Sequence, residues 1–349
     1  MGATGAARKL ASAAALGGGG LSVLGGGLYG VLVVEAKIAR RMIGNATRVP
    51  PNATGWYGRG RPGPAIRVAL LGDSSAAGYG VERVEETTGA HLASGLAAQA
   101  DRRVHLRSFA VVGAKSSDLA AQVDAAIGTH PDLAVVLIGA NDVTNTVLPS
   151  ASVRHLAEGV RRLREAGIAV LVGTCPDLGT IRPIPPPLKQ VAREWSRRLA
   201  AAQTITVVEN GGRSVSVGDL LRPEFEAAPA VLFGPDRFHP SADGYEQLAS
   251  VLIPSALAAL DLLPEDEARP EPLRREGILP VAAAAVRASR TSGTEVDGTD
   301  IGGNQRGLRG RWVELRHRRR RPTTDAESPQ TDEDREASAE SAATAGNAD

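Results

Sequence analysis

The chain has 349 residues and a formal net charge of +1, and 42% of its residues are hydrophobic although only 3% are aromatic. A charge so close to zero argues against a protein whose whole surface binds nucleic acid, and we expect no nucleic-acid partner. The single cysteine, Cys175, excludes an intramolecular disulfide and a cysteine-based zinc site, so we expect a small buried thiol at this position.

The N-terminal segment contains an uncharged run of 25 residues at 10–34, with basic residues on both sides of it. A helix of this length can span the ~30 Å hydrocarbon core of a bilayer. We therefore predict that residues 1–41 form a membrane anchor that contacts the membrane through residues 10–34, and a cleaved signal peptide is the alternative. An anchor predicts a location in the cell envelope, and the basic residues on both flanks leave open which side of the membrane the chain occupies.

Four prolines among several glycines characterise residues 42–64, and this composition predicts a linker. From residue 65 to residue 263, short apolar runs alternate with stretches of helical periodicity. The apolar runs are IRVALLG at 66–72, RVHLRSFAVV at 103–112, DLAVVLIG at 132–139, IAVLVGT at 168–174 and TITVVEN at 204–210. The predicted helices cover about 85–100, 116–127, 151–166, 188–202 and 241–260. This alternation predicts an α/β fold, a three-layer α/β/α sandwich around a five-stranded parallel sheet.

The C-terminal segment, residues 264–349, is polar, and we predict that it is largely disordered. It contains GILPVAAAAVRAS at 277–289, which can form one short helix docked on the domain, and a basic cluster at 316–321. Such a cluster is typical of a solvated tail, and contact with anionic lipid or nucleic acid is the alternative.

Gly72-Asp73-Ser74 end the first predicted strand. Ligands of parallel α/β sheets bind beyond the carboxyl ends of the strands, so Ser74 lies where chemistry is expected. Gly72 permits a tight exit from the strand, and a helix beginning near Ser74 points free amides at a developing negative charge. A serine that merely caps a helix is the alternative for so short a motif.

A serine nucleophile needs a base, and His239 has the most suitable context among the six histidines. It follows Asp236 by three positions in a loop before the last predicted helix. A carboxylate held against an imidazole fixes the tautomer and stabilises the imidazolium. A loop histidine with a capping neighbour is the alternative. The other five histidines stand in helix, strand or tail contexts without such a partner.

Two further positions follow the second and third predicted strands, on the same side of the sheet as Ser74. They are Gly113 and Asn141. The amide of Gly113, the amide of Ser74 and the side-chain amide of Asn141 can converge on one oxyanion. Asp142 is expected to orient its loop rather than to act as an acid or base.

Together these blocks are similar to the four signature blocks of the SGNH hydrolases, also called GDSL esterases or lipases. The blocks are Gly72-Asp73-Ser74, Gly113, Gly139-Ala140-Asn141-Asp142 and Asp236-Arg237-Phe238-His239, and the resemblance covers about residues 66–260. It implies a flavodoxin-like sheet, a catalytic triad of Ser74, Asp236 and His239, and an oxyanion hole of Ser74, Gly113 and Asn141. The chain departs from the family's name motif at Ser75, where that motif has leucine.

The implied activity is hydrolysis of carboxylic esters through an acyl-enzyme on Ser74, without metal or organic cofactor. We expect short or medium acyl chains, and acetylated glycans or lipids are candidate substrates. An acyltransferase would use the same residues, and a non-catalytic, membrane-tethered binding protein is the other alternative. The sequence leaves the oligomeric state open.

A Pro-rich, apolar segment at 174–187 follows the fourth predicted strand on the catalytic side. It can form the wall or lid of an acyl pocket, with Ile181 and Ile184 as contacts. A rigid connector is the alternative.

Overall fold

The computed structural model describes residue 35 and residues 48–181, 185–218, 232–234, 236–263, 278–298 and 312–317. Its described strands form one mixed sheet with the order β1-β3-β2-β4-β5-β6-β8-β9-β7. They are β1 (Gly55–Tyr57), β2 (Ile66–Gly72), β3 (Val104–Ser108), β4 (Leu133–Leu137), β5 (Ala169–Gly173), β6 (Arg213–Val215), β7 (Ile278–Pro280), β8 (Thr294–Gly298) and β9 (Trp312–His317). The α-helices are α1 (Ser74–Ala77), α2 (Thr88–Ala100), α3 (Leu119–Ile127), α4 (Ala140–Thr144), α5 (Pro149–Glu165), α6 (Leu188–Glu209), α7 (Ala242–Ala259) and α8 (Val281–Ala288).

Five parallel strands form the centre of the sheet, in the order β3-β2-β4-β5-β6. Counted along the chain, this is the 2-1-3-4-5 order of flavodoxin-like sheets, so the predicted fold class is confirmed. Helices cover both faces of these strands, with α2 and α7 on one face and α3, α5 and α6 on the other. The strands accordingly carry apolar side chains on both faces. Each face therefore has its own hydrophobic core, and the carboxyl ends of the strands are left for the connecting loops.

The predicted fifth strand at 204–210 is wrong, because residues 204–209 belong to α6 and Asn210 caps its end. Their Thr and Val content favours strands, yet α6 buries residues at helical spacing. The buried residues at its C-terminal end are Leu199, Ala200, Gln203, Thr204, Val207 and Val208. Packing of this stripe against the sheet outweighs the weak β-propensity of a short run. The fifth parallel strand is instead β6, which pairs with β5.

The sheet also extends beyond the domain boundaries expected from the sequence. Within the expected linker, β1 pairs antiparallel with β3, and Tyr57 is fully buried with its hydroxyl donating to the carbonyl of Ala53. Beyond residue 263, β8 pairs with β6, and β9 joins β8 to β7. The helix expected within 277–289 is α8, which packs on β8 and β9 in a small hydrophobic cluster. β1 and β7 have only three residues each, too few to show a period, and β8 and β9 contain charged residues and lack the continuous apolar runs of the central strands.

The expected membrane anchor, residues 10–34, lies outside the described residues, and so do residues 318–321 of the basic cluster. Arg316 and His317 belong to β9. Among the described residues, no helix is both long and apolar enough to cross a bilayer. Membrane anchoring therefore stays a prediction.

Candidate active site

Ser74 is the first residue of α1 and follows the carboxyl end of β2 after a tight turn. Gly72 has a φ of 139°, and a Cβ at this position would lie 1.9 Å from the carbonyl oxygen of Leu137. Only glycine fits so close to a neighbouring strand. Asp73 caps the helix, because its Oδ1 accepts a hydrogen bond from the amide of Ser75 at 2.9 Å. The turn thus fixes Ser74 at the carboxyl edge of the sheet, with 7% of its surface exposed.

A buried glutamine on α3 also holds the carboxyl end of β2. Gln122 of α3 accepts a hydrogen bond from the amide of Gly72 at 2.7 Å and donates one to its carbonyl at 3.0 Å. The sequence analysis did not identify Gln122. Its signal is present in the sequence, because Gln122 stands on the apolar stripe of α3 together with Leu119, Val123 and Ala126.

Asp236 and His239 meet in the loop that precedes α7. Asp236 Oδ1 accepts hydrogen bonds from the amides of Phe238 and His239, both at 3.0 Å. Its Oδ2 lies 2.6 Å from His239 Nδ1. Arg237 has a positive φ of 54°, which closes the loop tightly enough for this contact. The three-residue spacing seen in the sequence therefore does bring the carboxylate against the imidazole.

The other ring nitrogen of His239, Nε2, lies 3.0 Å from Ser74 Oγ. Two aromatic rings pack against the imidazole, since the Tyr79 ring centroid is 4.6 Å from it and the Phe238 centroid is 4.9 Å from it. Tyr79 is itself held by the buried hydroxyl of Tyr245, which donates to the Tyr79 carbonyl at 2.6 Å. The contacts of Tyr79 and Tyr245 could not be read from the sequence, because they join segments that are far apart in the chain.

The environment shifts the pKa values of the two carboxyl groups in opposite directions. Burial raises the pKa of Asp73 to about 6, despite the hydrogen bond from Ser75. Burial alone would also raise the pKa of Asp236, but hydrogen bonds from His239 and from the two backbone amides lower it overall. Asp236 therefore remains a carboxylate at neutral pH, as a partner of an imidazolium must.

The candidate oxyanion donors lie in neighbouring loops at the same edge of the sheet. Asn141 Nδ2 donates to the carbonyl of Ala114 at 3.0 Å, which ties the start of α4 to the loop containing Gly113. Gly113 has a φ of 83°. Among the described residues, no acceptor receives a hydrogen bond from the backbone amide of Ser74 or of Gly113. Both amides are therefore free to donate to a substrate oxygen.

Asp142 is 1% exposed and connects three segments around these donors. Its carboxylate accepts hydrogen bonds from the amide of Ser116 at 3.0 Å, from the Ser116 hydroxyl at 3.1 Å and from the Ser152 hydroxyl at 2.8 Å. No side chain of the candidate triad is among these partners. The geometry agrees with the expectation that Asp142 orients its loop.

An apolar pocket opens beside Ser74 and His239. Its walls come from the loops after β4 and β5, from the loop before α7 and from α7 itself. The lining residues outside the loops that carry Ser74 and His239 are Leu137, Ile138, Ala140, Gly173, Thr174, Pro176, Asp177, Leu178, Thr180, Ile181, Val217, Gly244 and Leu248. Ile181, expected as a pocket contact, lies in the lining, and Ile184 lies outside the described residues.

The remaining candidate groups lie away from this site or are inert. Cys175 is a free, buried thiol, and burial raises its pKa well above the ordinary value. None of the five other histidines lines the pocket. In the part of the chain that the structure describes, no cluster of His, Cys, Asp or Glu side chains is arranged to hold a metal ion.

The chain matches the profile of one protein family and is similar to several known proteins. The profile of the GDSL-like lipase/acylhydrolase family matches residues 70–247. A GDSL-like esterase of Mycobacterium tuberculosis is 44% identical over 270 residues, which cover 73% of this chain and 83% of that protein. Similar solved structures include a catalytic mutant of an acetylxylan esterase from Geobacillus stearothermophilus, with 19% identity, a TM-score of 0.44 and coverage of 56% of this chain and 94% of that chain. Another is an α/β hydrolase enzyme from the metagenome of Lake Arreo, Spain, with 22% identity and a TM-score of 0.45. The match covers 57% of this chain and 97% of that chain.

Proposed function

The chain is a hydrolase that belongs to the GDSL-like lipase/acylhydrolase family, and from that premise we propose that it hydrolyses carboxylic esters with a triad of Ser74, His239 and Asp236. One observation carries the proposal. A continuous row of polar contacts runs from Asp236 Oδ2 to His239 Nδ1 at 2.6 Å and from His239 Nε2 to Ser74 Oγ at 3.0 Å. Nucleophile, base and orienting carboxylate are thus within the reach that proton transfer requires.

In the first half of the reaction, Ser74 Oγ attacks the ester carbonyl carbon while its proton passes to His239 Nε2. The carboxylate of Asp236 stabilises the imidazolium that forms. The tetrahedral intermediate then collapses, the bond to the alcohol oxygen breaks, and the alcohol leaves with the proton from His239. The acyl group remains bound to Ser74 as an ester.

The oxygen of the tetrahedral intermediate is negatively charged, and hydrogen-bond donors that are positioned before the reaction stabilise it. We assign this role to the amides of Ser74 and Gly113 and to Nδ2 of Asn141. The two backbone amides have no competing acceptor among the described residues, and Asn141 Nδ2 uses only one of its two hydrogens on Ala114. Donors of this kind stabilise the transition state by about 2.7–4 kcal/mol each.

In the second half, a water molecule gives its proton to His239 Nε2 and attacks the acyl carbon. The carboxylic acid is released and Ser74 regains its proton from His239. The apolar pocket beside Ser74 supports substrates with short or medium acyl chains. Acetylated glycans and lipids remain the candidate natural esters.

The test is hydrolysis of p-nitrophenyl butyrate by the purified full-length chain and its variants. Ser74→Ala and His239→Ala should each lower kcat/KM by about 10⁴-fold or more, and the double variant should lose little beyond that, because the residues act as a unit. His155→Ala is the matched control, since His155 is exposed on α5 and away from the pocket. A folded Ser74→Ala protein that keeps its rate would refute the proposal. Activity that appears only with an added alcohol acceptor would indicate an acyltransferase.

A further inference from the structure

We propose that the pocket beside Ser74 is the acyl-binding site and that Leu248 of α7 sets the longest acyl chain it accepts. The proposal rests on the function proposed above, and it names the part of the ester that the pocket holds. Ser74 and His239 both line the pocket, so a group bound in it can be continuous with the reacting atoms. Its mostly apolar lining favours hydrocarbon over a sugar or a charged group.

The order of the chemical steps indicates whether the pocket holds the acyl group or the alcohol of the ester. The acyl group stays covalently bound to Ser74 Oγ while water reaches its carbonyl carbon. The alcohol must instead take a proton from His239 and depart before that water can enter. A pocket with buried apolar walls suits the group that stays, whereas the group that leaves needs an open route to solvent.

Three lining residues place one side of the pocket against the hydrophobic core. Leu137, Val217 and Leu248 belong both to the pocket lining and to the core cluster beneath α2 and α7. Leu248 is only 7% exposed, and it is carried by a helix rather than by a loop. Because the pocket meets the core here, Leu248 is assigned as its end wall.

The segment after β5, which also lines the pocket, is held in place by hydrogen bonds. Asp177 is 2% exposed, its Oδ1 accepts from the amide of Gly179 at 2.8 Å, and its Oδ2 accepts from Arg197 Nε of α6 at 3.1 Å. The amide of Leu178 donates to the Ser196 hydroxyl at 3.2 Å. These bonds fix the segment after β5 on α6, so the pocket has a defined size rather than an adaptable one.

The free volume of the pocket is about 80 Å³. A water-sized group needs roughly 10–15 Å³ in such a cavity, so the pocket takes about five to eight non-hydrogen atoms in a row. Counted as carbons of an unbranched chain, this gives a longest acyl group between about pentanoyl and octanoyl. Up to that length each buried methylene should raise kcat/KM about fourfold, and beyond it the gain should stop.

The experiment measures kcat/KM of the full-length chain on p-nitrophenyl esters from acetate to decanoate. Leu248→Ala removes three carbons from the end wall, so the preferred chain should lengthen by two to three carbons. Leu248→Phe should shorten it, with octanoate losing at least tenfold relative to acetate. Leu252→Ala is the matched control, because Leu252 lies one turn further along α7 in the same core but does not line the pocket. It should leave the chain-length profile unchanged.

A second series keeps acetate as the acyl group and lengthens the alcohol, and the Leu248 variants should not alter this profile. If Leu248→Ala shifts the alcohol profile instead, the pocket binds the leaving group and the proposal is overturned. It is overturned as well if Leu248→Ala changes the acyl profile no more than Leu252→Ala does. Either result leaves the triad intact, because it requires active enzyme, whereas failure of the triad would appear in the Ser74 and His239 variants. Should Leu248→Phe not fold, the alanine variant decides.

Discussion

Asn141 is the candidate oxyanion donor whose contribution can be tested without altering the backbone. Its Nδ2 donates to Ala114 at 3.0 Å and has one hydrogen left for the substrate oxygen. Asn141→Ala should therefore lower kcat by about 10²–10³-fold, which corresponds to about 2.7–4 kcal/mol of transition-state stabilisation. The KM should change little, because the hydrogen bond strengthens only when the oxygen becomes negatively charged. Loss of the bond to Ala114 should cost about 1 kcal/mol of folding stability.

The assay is steady-state hydrolysis of p-nitrophenyl butyrate, with urea unfolding of each variant to separate catalysis from stability. Asn145→Ala is the matched control. Asn145 is exposed at the end of α4, and its side-chain amide donates to the carbonyl of Asn141 at 2.8 Å. It should keep kcat within about threefold. A folded Asn141→Ala protein with kcat within about threefold of the parent would refute the assignment of Asn141 to the oxyanion hole.

Three further predictions concern stability, measured by urea unfolding. Gly72→Ala should lower the unfolding free energy by more than about 3 kcal/mol or prevent folding, because its Cβ would lie 1.9 Å from the Leu137 carbonyl oxygen; a mild effect would contradict the tight strand exit. Burial raises the pKa of Asp73 from 3.8 to about 6, so the folded state binds the carboxyl proton more tightly than the unfolded chain does. The unfolding free energy therefore decreases as the pH rises from about 4 to about 6. Asp73→Asn should therefore be more stable than the parent by up to about 3 kcal/mol at pH 8, and this gain should vanish below pH of about 4; a gain independent of pH would refute this cause. Arg213→Met should lower the unfolding free energy by up to about 3–5 kcal/mol, because it removes the guanidinium that lies 2.6 Å from the buried carboxylate of Glu295; unchanged stability would show that β8 does not depend on this pair.

The sequence predicted the central strands well because they are buried on both faces. The run at 66–72 coincides with β2, and the runs at 132–139 and 168–174 contain β4 and β5. A continuous apolar run between turn residues has few other stable placements in a soluble domain. The run at 204–210 is likewise rich in β-branched residues, and nevertheless residues 204–209 lie in α6. In this segment the conformation depends on which surface the apolar side chains pack against, and composition does not reveal that surface.

The residues of the candidate site were identifiable because their motifs are short and local. Ser74 follows one strand, Asn141 follows another, and Asp236 and His239 share a loop. Parallel strands end at one edge of the sheet, so residues after the strands meet without any detailed knowledge of packing. Gln122 could have been identified as a polar residue on an apolar stripe. Tyr79 could not, because its contact with the His239 ring spans distant segments.

The amino-acid sequence alone predicts the parallel α/β core, the position of Ser74 at a strand exit and the Asp–His spacing, since each depends on periodicity or on a turn of a few residues. Long-range packing determines that β6 is the fifth parallel strand, that the sheet continues through β8, β9 and β7, and that Leu248 of α7 lines the pocket. These features depend on which distant segments pair and on how much volume their side chains leave between them. Local patterns encode conformation, but pairing and free volume arise only when the whole chain has packed.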